Sequence, residues 1–264
     1  HKKTVQRSES LALGKFMLML TWLINFLVYA AIAFALFLFL RFILRATNVS
    51  EIFHVFGLGF ITAFRVMVLI AICSLIWIPI GVWVGLRPGV ASIAQPVAQF
   101  LAAFPANLLY PIVVIVIIHY NLNVEIWTSP LMVLGTQWYI LFNVIAGASV
   151  IPKELLMASE LFQVRGWVKW RAVILPAIFP YFITGAMTAA GGAWNASIVA
   201  EVVSWGSHTL KATGLGAYIS ETTQAGQTAQ EALGIVVMCL FVIVINRLVW
   251  RPLYRLAEER FHIE

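Results

Sequence analysis

The chain has 264 residues, of which 62% are apolar and only 11% are charged, whereas a soluble domain carries about 25% charged residues. This composition excludes an ordinary soluble enzyme and predicts an all-α integral membrane protein with about six transmembrane helices. The net charge of +6 does not indicate a nucleic-acid partner, because the basic residues flank apolar runs. Cys73 and Cys239 lie inside such runs, so the cysteines predict neither a disulfide framework nor a metal site.

Six apolar runs are long enough to cross a bilayer, which needs ~20 residues of helix. The predicted spans are Phe16–Leu40, Gly59–Leu86, Ile93–Ile118, Pro130–Val150, Leu175–Val202 and Ala232–Trp250. They use up the length, so we expect one transmembrane domain over residues 1–264 and no separate catalytic domain. Because the chain begins at His1 rather than Met, we expect a fragment, a processed product or half of a longer polypeptide.

The basic residues predict the orientation of these spans. Thirteen of the 17 Lys and Arg residues fall in the segments on one side, and three fall on the other. The positive-inside rule therefore predicts that both termini are cytoplasmic. The predicted segments outside the membrane are a cytoplasmic tail over 1–15, a cytoplasmic loop over 151–172, an external loop over 203–231 and a cytoplasmic tail over 251–264.

The loop over 151–172 is the one long polar interruption between spans. Its apolar residues recur at helical spacing, which predicts a short amphipathic helix beginning near Lys153. Such a helix either rests on the lipid surface or contacts a soluble partner. The pattern alone leaves both alternatives open.

Arg65 is the one cation well inside an apolar run, where a charge costs ~2.5–3.5 kcal/mol on insertion scales. Three explanations are open. Its side chain could reach the external interface, it could face an anion, or it could pair with a glutamate such as Glu201.

Two spans contain residues that are unusual at membrane depth. Pro105 and Asn107 interrupt the third span, which predicts either a simple kink or a cavity-lining break. The fifth span contains Gly191, Gly192, Trp194, Asn195 and Ser197. Small residues allow close helix packing. The amide of Asn195 needs a hydrogen-bonding partner in an apolar setting, which is either another helix or water and substrate in a pathway.

The loop resembles the cytoplasmic signature of permease subunits of binding-protein-dependent ABC importers. The signature reads Glu-Ala-Ala, three residues, Gly, nine residues, Ile, one residue, Leu-Pro. The matching positions here are Met157-Ala158-Ser159, Gln163, Val173 and Leu175-Pro176, so the acid and the glycine are replaced and a glycine follows at Gly166. Segments 192–197 and 214–216 and the residues flanking the loop resemble the nitrate, sulfonate and taurine branch, in particular one half of the duplicated anion-transport permeases.

The resemblance implies a type I importer permease in a bacterial-type inner membrane. It implies a small anion as substrate, such as nitrate, a sulfonate, taurine or bicarbonate. The implied partners are two cytoplasmic ATPase subunits, a second permease half (fused or separate), an external solute-binding protein and the lipid bilayer. This chain would carry no cofactor, and ATP and Mg²⁺ would bind the ATPase.

The resemblance also suggests which residues couple to the ATPase and which line the translocation pathway. The residues expected to couple to the ATPase, with Ala158, Ser159 and Phe162 closest to it, are Lys153, Glu154, Met157, Ala158, Ser159, Phe162, Gln163 and Gly166. The residues expected along the translocation pathway are Arg65, Pro105, Asn107, Gly191, Gly192, Trp194, Asn195 and Ser197.

Two other classes remain open at this point. One is a secondary transporter driven by an ion gradient, although such proteins normally carry acidic groups at mid-membrane and this chain has no aspartate. The other is a non-transporting membrane scaffold. The sequence contains no Gly-rich phosphate-binding loop and no paired catalytic residues on one element, so we do not expect an enzyme.

Overall fold

The structure is a computed structural model that describes the backbone of residues 2–206 and 208–261 and the side chains of residues 19, 21–206 and 208–259. It divides into two compact units between Val49 and Ser50. Apart from one hairpin, the regular elements of the described residues are helical, which confirms the predicted fold class.

The first unit is a single helix, α1, from Lys2 to Ala46. Its 45 residues extend roughly 68 Å at 1.5 Å per residue, which is longer than the ~30 Å hydrocarbon core. The residues expected to form a tail therefore continue the helix of the first span from Lys2 onward. The reason is local, because the polar segment before Phe16 contains no proline that would end the helix.

The second unit is built from eleven α-helices within the described residues. They are α2 (Val49–Gly85), α3 (Pro88–Ala103), α4 (Tyr110–His119), α5 (Val124–Trp127), α6 (Trp138–Ser149), α7 (Lys153–Leu161), α8 (Gly166–Lys169), α9 (Leu175–Ala200), α10 (Leu215–Gln224), α11 (Thr228–Ile245) and α12 (Arg251–Phe261). Short 3₁₀ helices cover Ala106–Leu109 and Ser129–Met132. Two π-helical segments, Trp170–Ile174 and Asn246–Trp250, lead into α9 and α12.

Four continuous helical segments are long and apolar enough to cross a membrane. They are Thr21–Ala46, Val49–Gly85, Gly166–Ala200 and Thr228–Glu259. Two bent pairs raise the number to six if each pair is one span: α3 with the helices of residues 106–119, bent by 77°, and α6 with α7, bent by 73°. The first bend lies at Pro105 and confirms the predicted interruption of the third span.

The predicted fourth span is wrong at its start. Regular α-helix begins at Trp138 rather than Pro130, and a 3₁₀ helix and turns occupy the residues before it. Hydropathy alone cannot detect this, because the turn residues Leu131, Met132 and Val133 are apolar and buried. The second span begins earlier than predicted. Its helix starts at Val49 and includes the more polar residues before Gly59.

Helix α9 is the centre of the second unit and packs against α6, α10 and α12. Glycines allow its close approach to α6, since a side chain at Gly185 would meet the Tyr139 carbonyl oxygen at 2.7 Å. Helix α2 approaches α6 in the same way, because a side chain at Gly85 would meet the Ile145 carbonyl oxygen at 2.6 Å.

A short antiparallel hairpin follows α9 in the segment expected to be an external loop. Strand β1 (Val202–Trp205) pairs with β2 (His208–Lys211), with Val202 opposite Lys211 and Trp205 opposite His208. Gly206 has a φ of +60° and makes the turn possible. The hairpin and α10 lie at one end of α9, and α7 and α8 precede its other end.

Candidate functional site

Helix α7 presents apolar side chains on its outer surface. Met157, Leu161 and Phe162, here called the loop patch, are 65%, 81% and 77% exposed. Contiguous exposed apolar side chains on a polar loop mark an interaction surface. These side chains are available either to the lipid surface or to a soluble partner.

The inner surface of α7 contains one of the residues predicted to contact the ATPase. Ser159 is 5% exposed, and its hydroxyl donates a hydrogen bond to the Leu156 carbonyl at 2.6 Å. Ala158 is half-buried, whereas Lys153 and Glu154 are exposed. Ser159 thus packs inward, whereas Lys153, Glu154 and the loop patch are exposed.

Gln163, where the importer signature has glycine, ends α7 in the left-handed conformation with a φ of +55°. The Val164 N–H donates to the Ser159 carbonyl at 2.8 Å, and the Gln163 N–H donates to the Glu160 carbonyl at 3.0 Å. These two bonds form a Schellman cap, which usually has glycine at this position. The chain therefore turns at Gln163, and Gly166, with a φ of +59°, makes a second turn before α8.

We predict that Gln163→Gly stabilises the loop and that Gln163→Val destabilises it. A left-handed conformation costs a residue with a side chain roughly 1–2 kcal/mol, and a β-branched residue is the least suited to it. Resistance of the 151–172 loop to limited proteolysis should rise in the first variant and fall in the second. Glu160→Val, at an exposed position, is the matched control. An equal loss of resistance to proteolysis in that variant would show that the left-handed backbone at Gln163 is not the cause.

Polar and small residues form a stripe along one exposed side of α9. The stripe, here called the α9 stripe, consists of Tyr181, Thr184, Thr188, Gly191 and Asn195. The two threonines donate to the carbonyls four residues earlier, as hydroxyls in a membrane helix often do. The Asn195 amide makes no hydrogen bond to any residue that the structure describes.

The opposite side of α9 holds two other residues predicted for a pathway, Trp194 and Ser197. Trp194 is 3% exposed and packs against Phe241 of α11 with ring centroids 6.2 Å apart. Ser197 is fully buried, and its hydroxyl donates to the Trp194 carbonyl at 2.7 Å. Trp194 and Ser197 therefore pack within the helix bundle, while Gly191 and Asn195 lie on its surface.

Irregular backbone before α6 meets the middle of α9 and also contacts the break in the third span. A side chain at Gly192 would touch Thr136, and one at Gly135 would lie 3.2 Å from Ala106, next to Pro105. Gln137 accepts a hydrogen bond from the Trp77 indole of α2 at 3.0 Å. Non-helical backbone at membrane depth occurs where it is packed in protein or lines a water-filled cavity. Pro105 and Asn107 are themselves exposed.

Arg65 pairs with two carboxylates at the hairpin end of α9. Its Nη1 donates to Glu201 at 2.7 Å and its Nη2 to Glu125 at 2.9 Å, and its side chain is 11% exposed. Of the three explanations for this cation, the structure shows the ion pair with Glu201. Its guanidinium is engaged by these two carboxylates.

The same carboxylates hold the start of α10. Glu201 is 1% exposed and accepts from the Ala217 N–H at 3.0 Å and from the Thr62 hydroxyl at 2.9 Å. Thr62 in turn accepts from the Leu215 N–H at 2.8 Å. Because a helix leaves its first N–H groups without partners inside the helix, these oxygens satisfy donors that would otherwise be buried unpaired.

Sequence reasoning missed Glu125, Thr62 and Thr213 in this network. Glu125 accepts from both the N–H and the hydroxyl of Thr213, at 2.9 Å and 2.7 Å. The usable signal was that a buried arginine needs a carboxylate partner, and Glu125 lies in a predicted external loop on the same side as Glu201. Glycine is required at 214 and 216, where any side chain would overlap the Glu201 carboxylate and the Ser197 backbone.

A second polar contact connects α10 to α2. The Tyr218 hydroxyl donates to Glu51 at 2.8 Å. Burial and this neighbouring carboxylate raise the pKa of Tyr218 above its ordinary value, so the phenol remains protonated and continues to donate. The hairpin end of the unit is thus held by several independent polar contacts.

Comparison with known proteins gives the family. A model of the family "Binding-protein-dependent transport system inner membrane component" matches residues 77–261, which is more than half of the chain and includes α7, α9 and α10. The match begins after Arg65, so the ion pair is only partly within the matched region.

Similar proteins are named as permeases for bicarbonate, nitrate and taurine. A bicarbonate transport system permease protein of Synechococcus elongatus is 26% identical over 179 residues, covering 68% of this chain and 61% of its own length. A nitrate import permease protein of Leptolyngbya laminosa is 28% identical over 112 residues, or 42% and 38% of the two chains. A taurine transport system permease protein of Escherichia coli is 25% identical over 147 residues, or 53% and 49%. The chain thus spans about three fifths of the first of these relatives, and it belongs to the family of binding-protein-dependent transport system inner membrane components.

Proposed function

We propose that this chain is the permease subunit of an ATP-driven importer of a small anion of the bicarbonate, nitrate or taurine class. The observation that carries the proposal is the family match over residues 77–261, and the names of the relatives support the substrate class. The partners we propose are two cytoplasmic ATPase subunits, a second permease half and an external binding protein. ATP and Mg²⁺ would bind the ATPase.

The loop patch is the surface we propose for contact with the ATPase. Its three apolar side chains are exposed, and it lies among the basic residues of a predicted cytoplasmic loop. Apolar anchors that fill pockets on a partner supply most of the energy of such contacts. ATP-driven movement of the ATPase would then reach α9 through α8 and the π-helical segment that join α7 to it.

The α9 stripe is the surface we propose for the translocation pathway. An exposed amide without a partner in the described residues is unfavourable against lipid, so Asn195 is better explained beside water, substrate or a second permease half. The Arg65 network would support this pathway by holding the hairpin end of α9 against α10 and α2.

We predict that a cysteine replacing Asn195 reacts with a small water-soluble thiol reagent and that the rate changes when ATP is trapped on the assembled complex. The reason is that alternating access changes which side of the membrane reaches the pathway. Because Cys239 is exposed on α11, the measurement is made in a Cys239→Ser background. Asn195→Leu should assemble normally and transport less.

A cysteine replacing Leu75 is the matched control for this measurement. Leu75 is 77% exposed on an apolar face of α2, so we expect it to contact lipid and to react slowly in every nucleotide state. A cysteine at 195 that is as unreactive as the one at 75 would show that Asn195 does not face water.

The proposed function as a whole is tested by uptake into vesicles that contain the reconstituted complex. Labelled bicarbonate, nitrate and taurine are offered in turn with the cognate binding protein. We expect uptake of one of them to require ATP on the side of the vesicle membrane to which the ATPase is exposed. Uptake driven by an ion gradient without ATP would indicate a secondary transporter, and assembly without any uptake would indicate a scaffold.

A further inference from the structure

A strongly basic pocket lies where α11 passes into α12. Its volume is about 430 Å³, and it is lined by Arg247, Arg251, Pro252, Arg255, Leu256 and Glu259. This volume is in the range of small-molecule sites. The pocket lies on a different helix from both the loop patch and the α9 stripe, so it belongs to neither proposed site.

The three arginines lack partners within the described part of the chain. None forms an ion pair with a described carboxylate within 4.0 Å, and all three are exposed. On the opposite side of α12, Ala257 is 1% exposed and the helix packs against α9. Helix α12 is therefore held in place while its arginines point outward.

The arginines follow one another at intervals of four residues. In a regular α-helix, positions four apart drift steadily around the axis, because a turn contains 3.6 residues. The π-helical segment Asn246–Trp250 has wider turns and offsets this drift, so Arg247 and Arg251 remain on one side. A drift of about 40° per four residues is small in any case, so the three guanidinium groups share one side of the helix and line one pocket.

The position relative to the predicted membrane favours a lipid. Arg247 follows the last apolar residue of α11 by two positions, and the eight residues to Arg255 rise roughly 12 Å. Each headgroup layer beside a ~30 Å hydrocarbon core is roughly 5–8 Å thick, so the arginines extend from that layer into the adjacent water. Directly before the arginines on the same side, Ile243 is 65% exposed and Val244 is 40% exposed, which provides an apolar surface for an acyl chain.

We propose that this pocket, here called the arginine pocket, binds the phosphate of an anionic phospholipid, with an acyl chain along Ile243 and Val244. Guanidinium groups bind phosphate through paired hydrogen bonds, and basic pockets at the cytoplasmic ends of membrane helices attract anionic lipids. Glu259 lies in the same pocket, and its carboxylate could accept a hydrogen bond from a headgroup hydroxyl. Phosphatidylglycerol, which offers a phosphate, hydroxyls and a net negative charge, matches this set of groups.

The test uses the full chain purified in a non-ionic detergent. It is titrated with short-chain phosphatidylglycerol, with phosphatidylcholine of equal chain length and with inorganic phosphate, and bound lipid is counted by native mass spectrometry. We expect phosphatidylglycerol to bind about tenfold more tightly than phosphatidylcholine, because the choline headgroup carries a cation and no hydroxyl donor. Inorganic phosphate should compete weakly, because it has no acyl chain.

Variants distinguish lipid binding in the arginine pocket from general attraction of the lipid to basic residues on the surface. Arg251→Gln should weaken phosphatidylglycerol binding roughly fivefold, and Arg251→Lys should lie between it and the unchanged chain, since lysine keeps the charge and loses the paired bonds. Arg165→Gln removes the same charge from an exposed position outside the pocket and should change binding less than about twofold.

Several results would overturn the lipid site. They are equal binding of the two lipids, full displacement by millimolar inorganic phosphate, or an equal loss in Arg165→Gln. Loss of ATPase association in Arg251→Gln with unchanged lipid binding would show that the pocket contacts protein instead. The site rests on the proposed membrane orientation but not on transport. A cysteine at Glu160 that is labelled only from outside would contradict that orientation, whereas lipid binding in detergent would still be measured.

Discussion

Arg65→Met should lower the free energy of unfolding of the membrane domain by about 3–5 kcal/mol, because the Glu201 carboxylate then remains buried without its cation. Glu201 is 1% exposed and cannot turn toward water, since it also accepts bonds from Thr62 and Ala217. The same substitution removes one of the groups that hold Glu125. We expect this loss of stability to appear as a lower unfolding temperature in detergent and as a reduced yield of folded protein.

A double variant distinguishes the unpaired charge from a simple loss of packing. Arg65→Met combined with Glu201→Gln removes both charges and keeps an oxygen that can accept from α10, so part of the loss should return. Lys211→Met is the matched control. Lys211 pairs with Glu221 at 2.7 Å, but both side chains are about half exposed, so removing this cation should cost ~0–1 kcal/mol. Equal losses in Arg65→Met and Lys211→Met would contradict a special role for the buried pair.

Truncation of the loop patch is expected to have the largest effect on assembly. Phe162→Ala should weaken association with the proposed ATPase roughly 30-fold or more, since a buried aromatic anchor contributes ~2 kcal/mol or more to an interface. ATP hydrolysis should become independent of substrate before the complex dissociates. The helices that cross the membrane should keep their unfolding temperature, because Phe162 is 77% exposed and supports no core.

Two further variants define the surface. Ala158→Arg places a bulky charge on the half-buried edge of α7 beside the loop patch and should uncouple or release the ATPase as well. Leu75→Ala truncates an equally exposed apolar side chain on α2 and should leave association unchanged. The measurement is co-purification of the ATPase at increasing salt. If the Phe162→Ala and Ala158→Arg variants bind the ATPase as strongly as the unchanged chain, α7 is not the docking element.

The fold class could be predicted because its determinants are local in the chain. Apolar runs of sufficient length and the scarcity of charge specify membrane helices whatever their neighbours are. Pro105 interrupts a helix through its own ring and missing N–H, so its break was visible in the sequence and is confirmed at 77°. The resemblance of the loop to the importer signature likewise depends on residues within one segment, and the family match confirms it.

The candidate site was predictable only in part. Gln163 was recognised as a replacement for glycine, but the sequence could not show that it would itself adopt the left-handed conformation. Asn195 and Trp194 are adjacent in the sequence and were predicted to act together. A helix turns about 100° per residue, so only the packing of α9 against α11 decides that Trp194 is buried and Asn195 is exposed.

The sequence by itself determined the membrane-helix composition, the broken third span and the presence of a polar helix between two spans. Only the tertiary structure decided the partners of Arg65, because Glu125 and Glu201 lie 60 and 136 residues away along the chain. It also decided where the fourth span begins, since buried turns and buried helix have the same apolar composition. The physical reason is that hydropathy records whether a residue leaves water, whereas ion pairs, caps and buried faces depend on which distant segments pack against it.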